Sequence, residues 1–372
     1  MTVLSRRELN RATLERQLLL RRARMPVVAA VEHLVGLQAQ TPHSWYAGLA
    51  ARLEDVRPEE VADLLVRREV VRIALMRSTI HLVSARDCQW LRPLVQPVLD
   101  RDLFSNFTHR KPVEGLDMDE LVEAARPLLE EKPRTSKELG ALLAEHGRAA
   151  GWGERAPASL AYAARNRMAL VQVPPRGVWG AGGAIAHTTA QAWLGVPLAA
   201  DASLETMVVR YLAAFGPATV KDVQTWSGLT RLREVVEGIR PRLARFTGED
   251  GQELFDLPDA PRPAPDVPAP VRLLYDFDNL LLSFADRGRV ITQEHLAQNY
   301  LKRRPVPGFV LVDGFTSGEW TIDRQGDSAV LTIRTFRPVP SAATAELERE
   351  GARLLDFAAA DAPAHEVRVL PM

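Results

Sequence analysis

The chain has 372 residues, which is long for one domain and predicts two to four compact units. Its 47 basic and 47 acidic side chains balance, so no overall field attracts a polyanion, although a local basic stripe would still be enough to bind nucleic acid. A single cysteine excludes internal disulfides and cysteine-based zinc or iron–sulfur sites, and the charged N-terminus and the lack of a membrane-length apolar run predict a cytoplasmic protein that binds no membrane.

The N-terminal segment predicts an arginine-rich helix. Ser5 and Glu8 have the spacing of a capping box, which marks a helix start. Through Arg24 the segment has a surplus of five positive charges. Two interpretations are open at this point, a solvated helix face and an arm that contacts a nucleic-acid backbone.

Residues 26–83 predict three short helices and a hairpin. The helices lie near residues 26–40, 43–53 and 58–68, and the strands near 70–75 and 79–83. This order is typical of a winged helix-turn-helix. Pro42 is expected to end the first helix, and unwinding before it would let Gln38 and Gln40 reach one solvent-filled cleft. On spacing alone, the simpler interpretation is a helix with two surface glutamines.

The same order of elements returns twice. The second set has helices near 119–131, 135–147 and 157–168, the middle one stopped by Gly147, and wing strands near 169–173 and 177–180. The third set has helices near 204–215, 219–226 and 230–239 and strands near 243–247 and 253–257. The sequence therefore predicts three tandem winged helices, with boundaries 1–116, 117–199 and 200–258.

A proline-rich connector, residues 259–268, precedes a segment of different character. Strand-like runs lie near 271–275, 309–312, 319–322, 329–333 and 366–370, with one helix near 342–358. We expect residues 269–372 to form a small β-rich, barrel-like domain. The predicted fold class is therefore α+β and multidomain.

Four separated motifs carry a resemblance to a known family. They are Gln38-Ala39-Gln40, the run 76–82 (MRSTIHL), the run 216–219 (GPAT) followed by Trp226, and the run 277–283 (FDNLLLS) followed by Asp286 and Arg287. With these motifs in this order, the whole chain resembles the winged-helix DNA glycosylases of the AlkZ/YcaQ superfamily. The resemblance implies three winged helices with a C-terminal β-barrel. It also implies hydrolysis of the N-glycosidic bond of N7-alkylated purines, including purines in interstrand crosslinks.

The resemblance assigns the catalytic motif to Gln38 and Gln40. The second glutamine is similar to the AlkZ branch, which is associated with self-resistance to a DNA-alkylating natural product, whereas the YcaQ branch has aspartate there. Ala39 is a small residue at a position that is aliphatic in the family, which is a mild departure.

Glutamine is neither a general acid nor a general base at neutral pH, and no lysine lies near the motif to form a Schiff base. A purine alkylated at N7 already carries the positive charge that weakens its glycosidic bond. Two amides that position a water at C1′ would then be enough, and loss of one such positioning group typically costs about 10²- to 10³-fold in rate. This chemistry predicts a monofunctional glycosylase without cofactor or metal. A crosslinked guanine cannot rotate out of the helix freely, so we expect an open groove rather than a closed base pocket.

Several basic residues are candidates for contacting DNA. Arg77 in the first wing turn fits a phosphate or minor-groove contact, and His81 fits either a DNA-facing role or a structural one. The remaining candidates are Arg287, Lys302, Arg303 and Arg304.

The acidic residues of the same segment, Asp276, Asp278 and Asp286, fit structural salt bridges or stabilisation of a positive charge, and salt bridges are the favoured interpretation. The expected partner is double-stranded DNA with alkylated or crosslinked purines, bound by a monomer. The alternative function is a non-catalytic DNA-binding protein, a regulator or a lesion-shielding factor, because winged helices often bind DNA without chemistry.

Overall fold

The computed structural model describes residues 2–298 and 306–372. Its helices are α1 (Arg6–Arg16), α2 (Val27–His33), α3 (Ser44–Ala50), α4 (Pro58–Val66), α5 (Ala85–Leu94), α6 (Gln96–Ser105), α7 (Met118–Glu131), α8 (Ser136–Ala149), α9 (Pro157–Arg167), α10 (Ala190–Leu194), α11 (Leu204–Phe215), α12 (Val220–Ser227), α13 (Arg233–Ile239), α14 (Gln293–Ala297) and α15 (Ser341–Ala358). Its strands are β1 (Val3–Leu4), β2 (Leu37–Gln38), β3 (Val70–Ala74), β4 (Ile80–Ser84), β5 (Arg134–Thr135), β6 (Leu170–Gln172), β7 (Ala186–Thr189), β8 (Ala244–Gly248), β9 (Glu253–Asp256), β10 (Arg272–Leu274), β11 (Gly308–Val312), β12 (Phe315–Gln325), β13 (Ser328–Thr335) and β14 (Ala364–Pro371).

These elements make an α+β protein, as predicted, and they belong to two compact units. Unit 1 comprises Met1–Val61, Glu205–Trp226 and Arg231–Met372, and unit 2 comprises Ala62–Leu204 and Ser227–Thr230. Each unit has its own hydrophobic core. The predicted boundaries of the winged helices are not tested by this division and remain a prediction.

Two helix starts follow directly from capping residues in the sequence. The Ser5 hydroxyl accepts a hydrogen bond from the Glu8 backbone N–H at 3.2 Å, and the Glu8 carboxylate accepts one from the Ser5 N–H at 2.7 Å. Thr135 and Glu138 make the same reciprocal pair at the start of α8. The first pair confirms the predicted capping box, and each pair satisfies backbone N–H groups that the helix itself cannot.

Unit 2 is built around a sheet and a helical core. Its strands run in the order β4–β3–β6–β7–β5. The antiparallel pair β3–β4 is the first predicted wing, and β6–β7 is the second. Strand β3 also pairs with β6, so the two hairpins share one sheet. Helices α7, α8 and α9 bury a common apolar core that includes Leu121, Leu143 and Leu160.

The second strand of the second wing was placed wrongly from sequence. It is Ala186–Thr189, whereas residues 177–180 form a loop. Gly177 and Gly180 have φ values of 90° and 70°, a region that glycine enters readily and a strand does not use. A Cβ on Gly177 would lie 2.8 Å from the Arg72 guanidinium, so a larger residue there would force the Arg72 side chain to move. Helix α8 also runs past Gly147 to Ala149.

The C-terminal sheet of unit 1 is open, which corrects the predicted barrel. Its five strands run in the order β10–β11–β12–β13–β14, and no sheet in the described part of the chain closes on itself. Strand β14 is parallel to β13, and α15 connects them, as a parallel pair requires. Helix α15 lies against this sheet, where a Cβ on Gly351 would clash with Val367. The crossover helix packs on the sheet, and β10 and β14 lie at its two edges.

Helix α1 is held inside unit 1 by its polar side chains. The Asn10 amide donates to the Arg289 and Gly314 carbonyls at 2.8 Å each. Arg16 donates to both Asp256 carboxylate oxygens at 2.6 and 2.9 Å, and the Arg11 side chain is fully buried against Asp313. Arg11 and Arg16 therefore have a structural role, whereas Arg6, Arg21 and Arg24 are exposed.

Within the residues that the structure describes, no helix has the length and apolar character needed to cross a bilayer.

Candidate functional site

The segment that carries the two glutamines begins where α2 stops. The helix ends at His33, well before Pro42, so the predicted role of Pro42 as its terminator is wrong. The Gly36 N–H donates to the Val31 carbonyl at 2.9 Å and the Val35 N–H to the Glu32 carbonyl at 3.1 Å. This pair of bonds is a Schellman motif, in which the residue after the cap adopts a left-handed conformation.

The left-handed residue is Val35, with φ at 54°, followed by Gly36 at 88°. Glycine tolerates such a conformation, but a β-branched residue there is a genuine outlier and costs of order 1–3 kcal/mol. Val35 is fully buried and so are its neighbours Leu34 and Leu37. The surrounding core therefore holds a strained turn immediately before the glutamines.

After the turn, the chain forms a short extended segment in which the two glutamines differ in solvent exposure. Leu37 and Gln38 form β2, and Ala39 is completely buried. Gln38 is 4 % exposed, whereas Gln40 is exposed. Side chains two residues apart in an extended chain point to the same side, yet only Gln40 is exposed and Gln38 is buried. In this structure, one of the two amides expected in a solvent-filled cleft faces solvent.

The run 276–279 anchors both ends of this segment. The Asn279 amide donates to the Gly36 carbonyl at 3.0 Å. At the other end, the Thr41 hydroxyl donates to the Asp276 carboxylate at 2.5 Å, and the Ser44 hydroxyl donates to the Thr41 carbonyl at 3.3 Å. The glutamine motif is thus held between two side chains from a segment more than 230 residues away in sequence.

Asp276 is a buried carboxylate without a basic partner in the described part of the chain. It is 8 % exposed, and its other oxygen accepts from the Phe277 backbone N–H at 3.0 Å. Burial raises the pKa of Asp276 above its ordinary value, and hydrogen bonds from the Thr41 and Ser44 side chains act in the opposite direction. The carboxyl group is thus held by neutral donors next to the glutamine motif.

Asp278 has the opposite arrangement. Both of its carboxylate oxygens accept hydrogen bonds from the Arg52 guanidinium, at 2.7 and 2.8 Å, and neither side chain is exposed. Arg52 also donates to the Gly48 carbonyl at 3.0 Å. The salt-bridge interpretation is confirmed for Asp278, whereas Asp276 does not follow it. The sequence did contain one sign that a carboxylate would lack an arginine partner, because this segment has more carboxylates than arginines.

Arg77 and His81 lie in unit 2. Arg77 is half-buried in the turn between β3 and β4, with φ at 56°. His81 is fully buried, and its Nδ1–H donates to the Thr79 carbonyl at 3.0 Å. Burial and the nearby charge of Arg77 lower the pKa of His81 to about 3, so the ring is neutral at physiological pH. Every residue of β4 is buried, so the His81 side chain does not reach solvent in this structure.

Of the other basic residues predicted to contact DNA, only Arg287 lies in the described part of the chain. Arg287 is half-buried in a 3₁₀ turn that Asp286 caps by accepting from the Gly288 N–H at 2.8 Å. Lys302, Arg303 and Arg304 lie outside the described residues. Within the described residues, no group of three or more His, Cys, Asp or Glu side chains is arranged to hold a metal ion.

Comparisons with known proteins identify the family of the chain. A family model described as "DNA glycosylase AlkZ-like" matches residues 31–357, which include the glutamine motif and the run 276–279. A curated relative from Streptomyces sahachiroi, "Interstrand DNA cross-link repair glycosylase", is 24% identical over 383 residues, covering 92% of this chain and 93% of the relative.

The solved structure "Streptomyces sahachiroi DNA glycosylase AlkZ" has the same fold. Its TM-score is 0.77 at 23% identity, with 99% of this chain and 100% of that chain covered. The family match spans most of the sequence, and the site on the Gln38–Thr41 segment lies inside it. The chain therefore belongs to the AlkZ-like DNA glycosylases, which are hydrolases of N-glycosyl bonds.

Proposed function

We propose that this glycosylase hydrolyses the N-glycosidic bond of N7-alkylated purines in double-stranded DNA, including purines tied into interstrand crosslinks. The observation that carries the proposal is the buried Asp276 carboxylate, without a basic partner in the described residues, hydrogen-bonded to the residue that directly follows Gln40. The printed name of the Streptomyces sahachiroi relative supports the crosslink part of the substrate class.

The leaving group explains why the site needs no general acid. An N7-alkylguanine is cationic, and breaking its C1′–N9 bond returns the bonding electrons to the base, which leaves as a neutral molecule. The sugar becomes oxocarbenium-like in the transition state. Water adds to C1′, and its proton passes to solvent, so an abasic site remains. Neither step needs a group that donates a proton to the purine.

The residues of the site divide this work. The exposed Gln40 and the buried Gln38 each offer a carbonyl acceptor and an NH₂ donor, which can hold a water and the sugar or base. Asp276 supplies a fixed negative charge where positive charge develops on the sugar, and such preorganised charge is effective because it is held away from bulk water. The nearest lysine in sequence after the motif is Lys111, so the site offers no amine close along the chain for a Schiff base.

The three sets of helices and hairpins support the proposal that the chain contains three winged helices. Helices α2–α4 precede the β3–β4 hairpin, α7–α9 precede β6–β7, and α11–α13 precede β8–β9. We interpret each set as one winged helix. We also propose that the protein acts as a monomer in the cytoplasm, on DNA, and without a closed base-flipping pocket, since a crosslinked guanine cannot leave the helix freely.

Excision from a duplex with one N7-methylguanine tests the activity. Hot alkali after incubation converts each abasic site to a strand break, and anisotropy measures binding to the same DNA. Gln38→Ala and Gln40→Ala should each lower the excision rate by about 10²- to 10³-fold with little change in binding. Gln191→Ala, on an exposed glutamine of α10, is the matched control.

Two results would refute the proposal. One is DNA binding by the wild-type protein without any alkali-labile sites beyond those of the same duplex incubated without protein, which would make it a binder only. The other is borohydride trapping of the protein on DNA, which would require a covalent imine and therefore an amine nucleophile.

A further inference from the structure

The side chain of Asn279 is buried, and only one of its two polar atoms is hydrogen-bonded. It is 2% exposed, and its NH₂ group donates to the Gly36 carbonyl at 3.0 Å. The amide oxygen is buried as well and accepts no hydrogen bond from the residues that the structure describes. A buried acceptor without a partner costs stability, because it gives up its hydrogen bonds to water on folding. Stability alone therefore does not account for an asparagine at this position.

The carbonyl that Asn279 holds belongs to the strained turn before the glutamines. Val35 and Gly36 have φ values of 54° and 88°, and this conformation is unfavourable for the β-branched Val35. Gly36 is buried, and Asn279 is the one donor to its carbonyl in the described part of the chain. The peptide plane after Gly36 sets the direction of that carbonyl. A relaxed turn would point it away from Asn279 and leave it buried without a donor.

The Asn279 amide projects from a rigid support. The Asp278 carboxylate caps the 3₁₀ turn that begins at Asn279, because it accepts from the Leu280 N–H at 3.0 Å. The same carboxylate accepts two hydrogen bonds from the buried Arg52 guanidinium. The donor to Gly36 is therefore fixed in place, as a group that orients a reacting residue has to be.

The two anchors of the glutamine segment lie next to different glutamines. Asn279 holds Gly36, which is two residues before Gln38. Asp276 holds the residue that directly follows Gln40. A change at one anchor should consequently displace the glutamine beside it first. A displacement of about 1 Å in a positioning group can cost roughly 10²-fold in rate.

We propose that Asn279 is a positioning residue for the glycosylase reaction and that it acts through Gln38. Its hydrogen bond to Gly36 selects the strained turn, and the turn sets where β2 begins and how Gln38 is directed. Asn279 is buried and makes no contact of its own with DNA. The inference rests on the proposed function, because it takes Gln38 as part of the site.

A double-mutant cycle on single-turnover excision of N7-methylguanine tests this role. Asn279→Ala should lower the rate roughly 10- to 100-fold with little change in DNA affinity. In a Gln38→Ala protein, the same change should lower the rate by less than about twofold, because the side chain that Asn279 positions is already absent. A residue that merely stabilises the fold would lower both rates by the same factor.

A second variant and a control separate positioning from stability. Asn279→Leu has the same number of side-chain heavy atoms but no donor, so it should lower the rate as much as Asn279→Ala, and it completes the cycle if the alanine variant does not fold. Asn10→Ala is the matched control, because Asn10 is a buried asparagine of the same unit whose NH₂ group donates to the Arg289 and Gly314 carbonyls. It should lower the melting temperature at least as much as Asn279→Ala. Its excision rate, measured below that melting temperature, should be that of the wild-type protein.

The outcomes distinguish this inference from the proposed function. Equal losses from the Asn279 change in the wild-type and Gln38→Ala proteins would overturn the positioning role, and so would a wild-type rate in a folded Asn279 variant. Both results leave the proposed function intact, because excision by the wild-type protein is measured in the same cycle. Absence of excision by the wild-type protein would instead refute the proposed function and this inference with it.

Discussion

Removing the charge of Asp276 while keeping its shape is the sharpest test of the proposed mechanism. In the wild-type protein the two carboxylate oxygens accept from the Thr41 hydroxyl at 2.5 Å and from the Phe277 N–H at 3.0 Å. In asparagine the side-chain oxygen can still accept from the Phe277 N–H, and the NH₂ group can donate to the Thr41 hydroxyl, which then acts as acceptor. Because Thr41 directly follows Gln40, a sugar held by the glutamines would lie close to this carboxylate. Asp276→Asn therefore tests the charge rather than the packing.

The size of the effect follows from that geometry. For a cation about 6–10 Å from the carboxylate at an effective dielectric of about 20, the attraction is about 2–3 kcal/mol. Losing it should lower the single-turnover excision rate by roughly 20- to 100-fold. DNA affinity should change little, because the cationic sugar exists only in the transition state and not in the bound substrate.

Asp276→Asn should lower the excision rate without lowering the free energy of unfolding. Burial raises the pKa of Asp276, so the folded protein binds the proton more tightly than the unfolded chain does. The ionised carboxylate consequently lowers the free energy of unfolding above its pKa, and that cost disappears as the pH falls. Asparagine removes the cost at neutral pH, so the melting temperature of Asp276→Asn should equal or exceed that of the wild-type protein.

The same variant predicts a change in pH dependence. The wild-type excision rate should fall on the acid side as Asp276 becomes protonated, at a pH above the ordinary aspartate value of about 3.9. Asp276→Asn should lack that limb. Asp286→Asn, which changes an exposed carboxylate in the same segment, is the control and should behave as wild type.

Three readouts decide the matter: single-turnover excision of N7-methylguanine across pH, anisotropy on the same duplex, and thermal unfolding. A variant with the wild-type rate and pH profile would refute the electrostatic role of Asp276. A variant that loses activity and stability together would show that the carboxylate acts only by holding the segment in place.

Two further predictions concern buried charges elsewhere. Asp278→Asn leaves the Arg52 guanidinium buried without its partner and should lower the free energy of unfolding in urea by about 3–5 kcal/mol. The double variant with Arg52→Met should recover most of this loss. Additive losses in the two variants would contradict the pairing. Burial lowers the pKa of His81 to about 3 and of His187 and His295 to about 4. The unfolded chain therefore binds more protons below about pH 6.5, and the free energy of unfolding should fall as the pH drops from there. His81→Gln should flatten this dependence, and a wild-type slope in that variant would show that His81 titrates normally.

Local signals in the sequence predicted the elements well. The capping boxes at Ser5 and Thr135 place helix starts to the residue, because the groups that decide them lie within four positions of one another. The end of α2 was misplaced for the opposite reason. Its stop depends on Val35 adopting a left-handed conformation, which a β-branched residue avoids unless the surrounding core imposes it. Gly36 was the only local hint.

Long-range arrangements were harder to predict. The Gln38-Ala39-Gln40 motif was recognisable as a site, but the hydrogen bonds of its neighbours Gly36 and Thr41 cross more than 230 residues. Which carboxylate of the run 276–278 receives an arginine is decided by the position of Arg52 on the chain after α3, and no spacing within the run encodes that choice. The open C-terminal sheet likewise depends on where α15 packs.

The distribution of buried charge in unit 1 ties structure to mechanism. Asp256 and Asp278 are each met by an arginine at hydrogen-bond distance, so their charges are neutralised in every state of the protein. Asp276 is held only by neutral donors, so its charge stays uncompensated in the free enzyme and costs folding energy there. A cation that forms only in the transition state would offset that cost at the moment of reaction. An arginine in the same place would stabilise the fold and remove this differential binding, which is the quantity that accelerates a reaction.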